Sequence, residues 1–155
     1  MPQDNLVLGK DSAYYGVTTN GGTNNFGTIF KICGGVTTIL HSFNNPTEGG
    51  NPSGGLVRGA DGNLYGSTEV GGSNQGGTIY KITPAGNFTV LRHLKSTTDG
   101  AAPHSSMVLG TDGALYGVTN FGGTGTGGTI FRVTTAGVFT VLHSFVPSTE
   151  GNSSE

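Results

Sequence analysis

Three acidic residues, Glu48, Asp99 and Glu150, occupy one repeated place in the chain, each between a threonine and a glycine. Carboxylates carried to one rim by such a repeat would make a ring of negative charge able to hold a cation or a ligand. The competing expectation is a loop carboxylate that accepts backbone N–H bonds. A second trio, Asp11, Asp61 and Asp112, precedes Ser12, Gly62 and Gly113. One carboxylate per loop is too few oxygens for calcium, so these residues are expected to shape tight turns. His41 and His143 share a third position, which Arg92 fills in between, with His93 beside it. Strand alternation places His41 on the face of Ile39 and Phe43, which predicts a packed, hydrogen-bonded imidazole between sheets rather than a general base. His104 follows Pro103 in a linker and is expected to face solvent.

Aromatic residues sharpen the contrast between core and surface. Ten recur at repeated positions, as core residues should: Tyr15, Tyr65 and Tyr116; Phe30, Tyr80 and Phe131; Phe88 and Phe139; Phe43 and Phe145. Tyr14, Phe26 and Phe121 do not. Phe26 and Phe121 lie in glycine- and asparagine-rich loops, where an exposed ring could stack on a sugar or fold down onto a sheet edge. Phe26, Phe121, Glu48, Asp99 and Glu150 are therefore the candidate ligand-binding residues. No nucleophile elbow, zinc-binding His-Glu-x-x-His or P-loop is present in the sequence, and strictly repeated residues are a poor match to an asymmetric catalytic constellation. No catalytic residue, metal or cofactor is expected.

The elements that would position these residues follow from a repeat of about fifty residues. Tyr15, Tyr65 and Tyr116 are 50 and 51 apart, and Leu40, Leu91 and Leu142 are 51 and 51 apart. The units are residues 2–51, 52–102 and 103–151, with a tail at 152–155. In the second unit Gly55 to Gly59 reads as a short strand, Asp61-Gly62 as a turn, and Asn63 to Thr68 as its hairpin partner. A glycine-rich loop leads into a strand from Gly77 to Thr83, and Pro84-Ala85-Gly86 turns the chain into a fourth strand from Asn87 to Leu94. Thr78, Tyr80 and Ile82 alternate with Ile79, and Phe88, Val90 and Leu94 alternate with Leu91, so both faces of each sheet are apolar. The expectation is an all-β fold of three four-stranded antiparallel units stacked as β-propeller blades, with stacked sandwiches and a β-solenoid as competitors.

Composition supports order of this kind. Glycine makes up 30 of 155 residues, and the single Cys33 excludes an intrachain disulfide. A net charge of −2 leaves no basic surplus for nucleic acid. No apolar run is long enough to suggest membrane insertion, and the first twenty residues lack the pattern of a signal peptide.

The stretches Asp61 to Thr68, Gly77 to Thr83 and Val141 to Phe145 carry a resemblance. The pattern Gly-Leu-Val, Asp-Gly-Asn-Leu-Tyr-Gly-x-Thr, Gly-Gly, Gly-Thr-Ile-Phe-Lys-Ile-Thr, Thr-Val-Leu-His-Ser-Phe resembles the GloVer tandem repeats of choice-of-anchor bacterial surface proteins across residues 2–151. Ser12-Ala13-Tyr14 and Arg92-His93-Leu94 depart from it. The hairpin order also looks like that of sensor propellers carrying Asp-Gly-x-Leu-Trp-x-Gly-Thr. The resemblance implies an exported, secreted or cell-surface bacterial protein, and no particular reaction.

Three blades would leave an apolar sheet face open at each end. The chain is expected to be either an excised piece of a longer gene or a protomer that closes a ring head to tail with itself, two chains giving six blades and three giving nine. The functional expectation is a non-catalytic extracellular module that binds carbohydrate or a surface protein, or acts as a scaffold. The alternatives are a polysaccharide hydrolase or lyase using Glu48 and Asp99 in a central channel, and a designed or excised structural fragment without ligand.

Overall fold

Short apolar runs separated by glycine-rich turns produce three sheets of the same build. The computed structural model describes residues 2–150, with side chains from residue 5 onward; residue 1 and residues 151–155, which include the expected tail 152–155, lie outside the described residues. The first sheet is β1 (Pro2–Leu8), β2 (Tyr14–Thr18), β3 (Thr28–Cys33) and β4 (Val36–Ser42), followed by a single helical turn, α1 (Asn45–Glu48). The second is β5 (Val57–Arg58), β6 (Leu64–Thr68), β7 (Thr78–Ile82) and β8 (Phe88–His93). The third is β9 (Val108–Leu109), β10 (Leu115–Thr119), β11 (Thr129–Val133) and β12 (Phe139–Ser144), with a turn α2 (Pro147–Glu150) after it. Each is a four-stranded antiparallel meander in chain order. The first strands touch one another, β1 against β5 and β5 against β9, so they line the inside of an arc of blades.

Two cores lie between the three sheets. Tyr15, Val17, Ile29 and Phe43 of the first blade meet Leu56, Leu64, Tyr80 and Ile82 of the second. Tyr65, Ile79 and Leu94 on the other side of the second blade meet Met107, Leu115, Phe131 and Val133 of the third. Thus Tyr80 and Ile82 enter one core and their neighbour Ile79 the other, as alternation in a two-faced strand requires.

One part of the alternation is broken. A bulge on each outer strand pairs Ile29 with His41 but Phe30 with Ile39, and Ile79 with Arg92 but Tyr80 with Val90. The extra residue, Leu40 or Leu91, turns inward onto its core, and the parity of everything after it shifts. Ile39 is consequently exposed and does not share a buried face with His41 and Phe43. Leu94 joins Leu91 in the second core instead of lying with Phe88.

Polar groups lock the blades together as well. Thr68 donates its hydroxyl proton to Thr78 at 2.9 Å, and Thr78 donates its own to the Glu48 carbonyl of the preceding blade at 2.8 Å. Thr119, Thr129 and the Asp99 carbonyl repeat the arrangement at 3.0 and 2.8 Å. The following glycines, Gly49 and Gly100, have φ of 86° and 87°, and a Cβ on either would collide with the threonine hydroxyl below it.

Tyr80 is wholly buried among Phe43 and Phe88, and its hydroxyl has no protein partner among the described residues. Its repeat counterparts are Phe30 and Phe131. Tyr80→Phe is expected to raise the unfolding free energy by about 1 kcal/mol, measured by urea denaturation, because a buried unpaired hydroxyl is destabilising. A loss of stability would contradict this account of the core.

Candidate functional site

The alternating turns place the candidate residues on two opposite rims. The β1–β2 and β3–β4 turns and their equivalents form one rim, and the Gly-Gly loops with the inter-blade connections form the other. On the turn rim, Asp11, Asp61 and Asp112 accept the backbone N–H of Ala13, Asn63 and Ala114 at 3.1–3.3 Å. This is the expected turn chemistry. The same carboxylates also accept the hydroxyls of Tyr15, Tyr65 and Tyr116 at 2.7–3.0 Å, and Asp11 and Asp112 pair with Lys31 and Arg132 at 2.7 Å. This clasp was legible only as a recurrence of Asp four residues before Tyr with a base two strands on. The Lys31 ammonium, with the Tyr15 hydroxyl, holds the Asp11 carboxyl at about 2. Arg132 lowers Asp112 in the same way.

On the loop rim each repeated acid is engaged by its own blade. Glu48 bonds His41 Nε2 at 3.1 Å and accepts the Asn44 N–H at 3.1 Å. Asp99, 4 % exposed, receives a bidentate pair from Arg92 at 2.6–2.9 Å, the Lys95 N–H and the Thr98 hydroxyl. Glu150 meets His143 at 3.1 Å and the Val146 N–H at 2.9 Å. That backbone bond, followed by His143, lowers the Glu150 carboxyl. The acids therefore tie the outer strand of each blade to the connection that follows it. No group of three or more metal-ligating side chains occurs among the described residues.

The imidazole of His41 is packed between blades, as expected. It lies parallel to the Phe88 ring of the next blade at 3.9 Å and edge-on to Phe43. Arg92 stands over Phe139 in the same relation, 5.1 Å from the ring centre. His104 is half exposed and bonds Glu69 at 3.0 Å. Phe26 folds against the first core, whereas Phe121 is 56 % exposed. The two aromatic candidates are thus in different environments, and only Phe121 presents its ring to solvent.

A third junction is present as two unmated halves. On the first blade Leu6, Tyr14 and Ile32 stand where Leu56, Leu64 and Ile82 are buried, and Leu6 and Tyr14 are 49 % and 48 % exposed. On the third blade Val118 and Leu142 stand where Val17 and Leu40 pack, and both are exposed. An open hollow of about 210 Å³ runs over Val108, Tyr116, Val118 and Ile130 on that face.

A family model of the Gloeobacter/Verrucomicrobia repeat matches residues 1–155. No curated protein matches the chain in sequence. Among solved structures, a streptogramin B lyase shares 21% identity with a TM-score of 0.61, over 96% of this chain and 41% of that one. A Bacteroides fragilis NCTC 9343 protein provisionally named 6-phosphogluconolactonase shares 21% identity with a TM-score of 0.56, over 91% of this chain and 37% of its own. A protein provisionally named gluconolactonase shares 14% identity with a TM-score of 0.57, over 90% of this chain and 48% of its own. The chain spans less than half the length of each of these structures, and at this identity the likeness establishes a propeller-like fold.

The turn-rim clasp sets a pH dependence. The folded Asp11 carboxyl titrates at about 2, below its ordinary 3.8, so folding favours its ionised form. Its contribution to stability is complete above about pH 4 and is lost as pH falls through about 2. Asp11→Asn is expected to flatten the fall in urea midpoint between pH 4 and pH 2; an unchanged slope would contradict the clasp.

Proposed function

The chain belongs to the Gloeobacter/Verrucomicrobia repeat family, and from that premise we propose that it is a non-catalytic extracellular blade module that joins copies of itself head to tail. Two chains would complete a six-bladed ring, within the common range for propellers, and the assembly would act as a scaffold whose loop rim meets a polysaccharide or a surface protein. The secreted or cell-surface setting rests on the resemblance of the repeats to those of bacterial surface proteins.

The observation that carries the reading is that the open ends hold complementary halves of a junction built twice within the chain. Gly72 and Gly123 donate their N–H groups to the Asn45 and Ser96 carbonyls of the preceding blade at 2.9 and 2.7 Å. The equivalent N–H, that of Gly22, has no partner among the described residues, and the carbonyl that would match it is that of Pro147 on the third blade. Thr28 stands where Thr78 and Thr129 donate to the Glu48 and Asp99 carbonyls, and Glu150 carries the matching carbonyl. Apolar residues surround both halves. Contact between identical patches could not produce this pairing, so the association must be heterologous, closing as a ring or continuing as a filament. The repeated acids Glu48, Asp99 and Glu150, engaged within each blade, would keep the connections in shape for docking.

One position sets the strength of that contact. Where the second and third blades present Phe88 and Phe139 to the preceding blade, the first presents Thr37. His143 of one copy would therefore meet a threonine instead of an aromatic ring, and the junction between copies would be weaker than those within the chain. Sedimentation equilibrium is expected to show a species of twice the 15.7 kDa chain at high concentration. Because a two-chain ring contains this junction twice, Thr37→Phe should tighten it about five- to 150-fold, matching roughly 0.5–1.5 kcal/mol for the aromatic pair at each junction. A chain that stays monomeric at all concentrations, with and without the substitution, would overturn the assembly.

A further inference from the structure

Repeat proteins advertise a specific site by departing from their own repeat, and three departures converge on the loop rim between the second and third blades. Ser96 stands where Asn45 stands one unit earlier. The Asn45 side chain lies directly over Gly71, whereas over Gly122 stand the Ser96 carbonyl and its shorter hydroxyl, and an open groove of about 470 Å³ runs past Ser96, Gly122 and Gly123. Thr126 occupies the position of Asn25 and Gln75, all with positive φ. At φ 69° a β-branched residue is far less tolerated than asparagine, so a threonine held there is an outlier with a cost. Phe121, next in the chain to Gly122, replaces Val70 and Asn20, and its ring is exposed.

We propose that this groove, with Phe121 beside it, is a binding site for a neutral polysaccharide chain of hexopyranose units. The lining chemistry selects that class. Ser96, Thr97, Thr124 and Thr126 bring four hydroxyls to the groove, and none of them makes a side-chain hydrogen bond among the described residues. Hydroxyls both donate and accept, which suits sugar hydroxyls of unspecified orientation. No side chain lining the groove carries a charge, Arg92 and Asp99 pair with each other, and Lys95, which precedes Ser96 in the chain, lines a different hollow, so the groove itself presents no fixed charge to a phosphorylated or acidic ligand. The groove lies within the size range of small-ligand sites, about 300–1,000 Å³, and is open, so a chain could pass through it instead of being enclosed. Phe121, adjacent in the chain to the groove's Gly122, offers an exposed aromatic ring to the apolar C–H face of a pyranose whose oxygens would meet the hydroxyls.

This site deepens the binding half of the proposed function. It is formed within one chain, so it does not need the ring, and its failure is separate from that of the assembly.

The test is saturation-transfer NMR on the 155-residue protein with maltohexaose, cellohexaose, laminarihexaose and mannohexaose at millimolar concentration, irradiating aromatic protons. Two variants copy residues that the repeat already accommodates, Phe121→Val after Val70 and Ser96→Asn after Asn45, so both should keep the fold, which an amide spectrum verifies. The expected result is transfer to ring protons of at least one hexasaccharide in the wild type, at least tenfold weaker binding with Phe121→Val, and loss with Ser96→Asn. Transfer from none of the four, or equal binding by both folded variants, would overturn the proposal.

Discussion

Both faces of a blade in this protein are apolar, and that constraint governs everything else in the structure. Tyr80 and Ile82 point to one side of β7 while Ile79 points to the other, and all three are fully buried. A lone sheet with that pattern would leave a large apolar surface in water, at roughly 1.5–3 kcal/mol for each such side chain left uncovered. Stacking is therefore what folds the unit, and the junction between blades is the real building block. The threonine relay into the preceding blade's carbonyl and the glycine that lets the two backbones approach are its polar counterpart. Because each donor finds its acceptor only when neighbouring blades are in register, the relay fixes alignment where the apolar contact alone would permit sliding.

The same logic explains why the two ends differ from the middle. Leu64 and Leu115 are fully buried, whereas the residue in their place on the first blade is the amphipathic Tyr14, half exposed. Thr37 in place of phenylalanine softens that face further. These changes reduce the apolar character of the first blade's open side without altering its backbone donors. A face of this kind suits contacts that form and dissociate, in contrast to the permanently buried junctions inside the chain.

Much of this was legible in the residues. The fifty-residue period, the hairpin turn at Asp61-Gly62 and the two-faced strands follow from spacing and turn chemistry; the imidazole of His41 is packed as expected but not for the expected reason, since Ile39 does not share its face and Phe88 of the next blade covers it. The bulge was not legible, because inserting Leu40 or Leu91 leaves the composition of the strand unchanged and only shifts its parity. The clasp of Asp11 with Tyr15 and Lys31 needed the register of β2 against β3, which places Tyr15 opposite Lys31. At the candidate site, the environments of Phe26 and Phe121 could not be separated from sequence, since both lie in similar loops and only packing decides which ring is covered. The groove past Gly122 was not legible, because which residue stands over that glycine, Ser96 here and Asn45 over Gly71, is decided by the packing of neighbouring blades.

The most direct test of the account is amide hydrogen exchange at Gly22, followed by NMR as a function of protein concentration. Its counterparts Gly72 and Gly123 are bonded to the preceding blade and should be protected at every concentration. If the open faces of two copies rebuild the same junction, Gly22 should be protected in concentrated solution and exchange freely on dilution. Exchange at Gly22 that stays fast at all concentrations, while Gly72 and Gly123 remain protected, would contradict the claim that the ends of this chain are two halves of one interface.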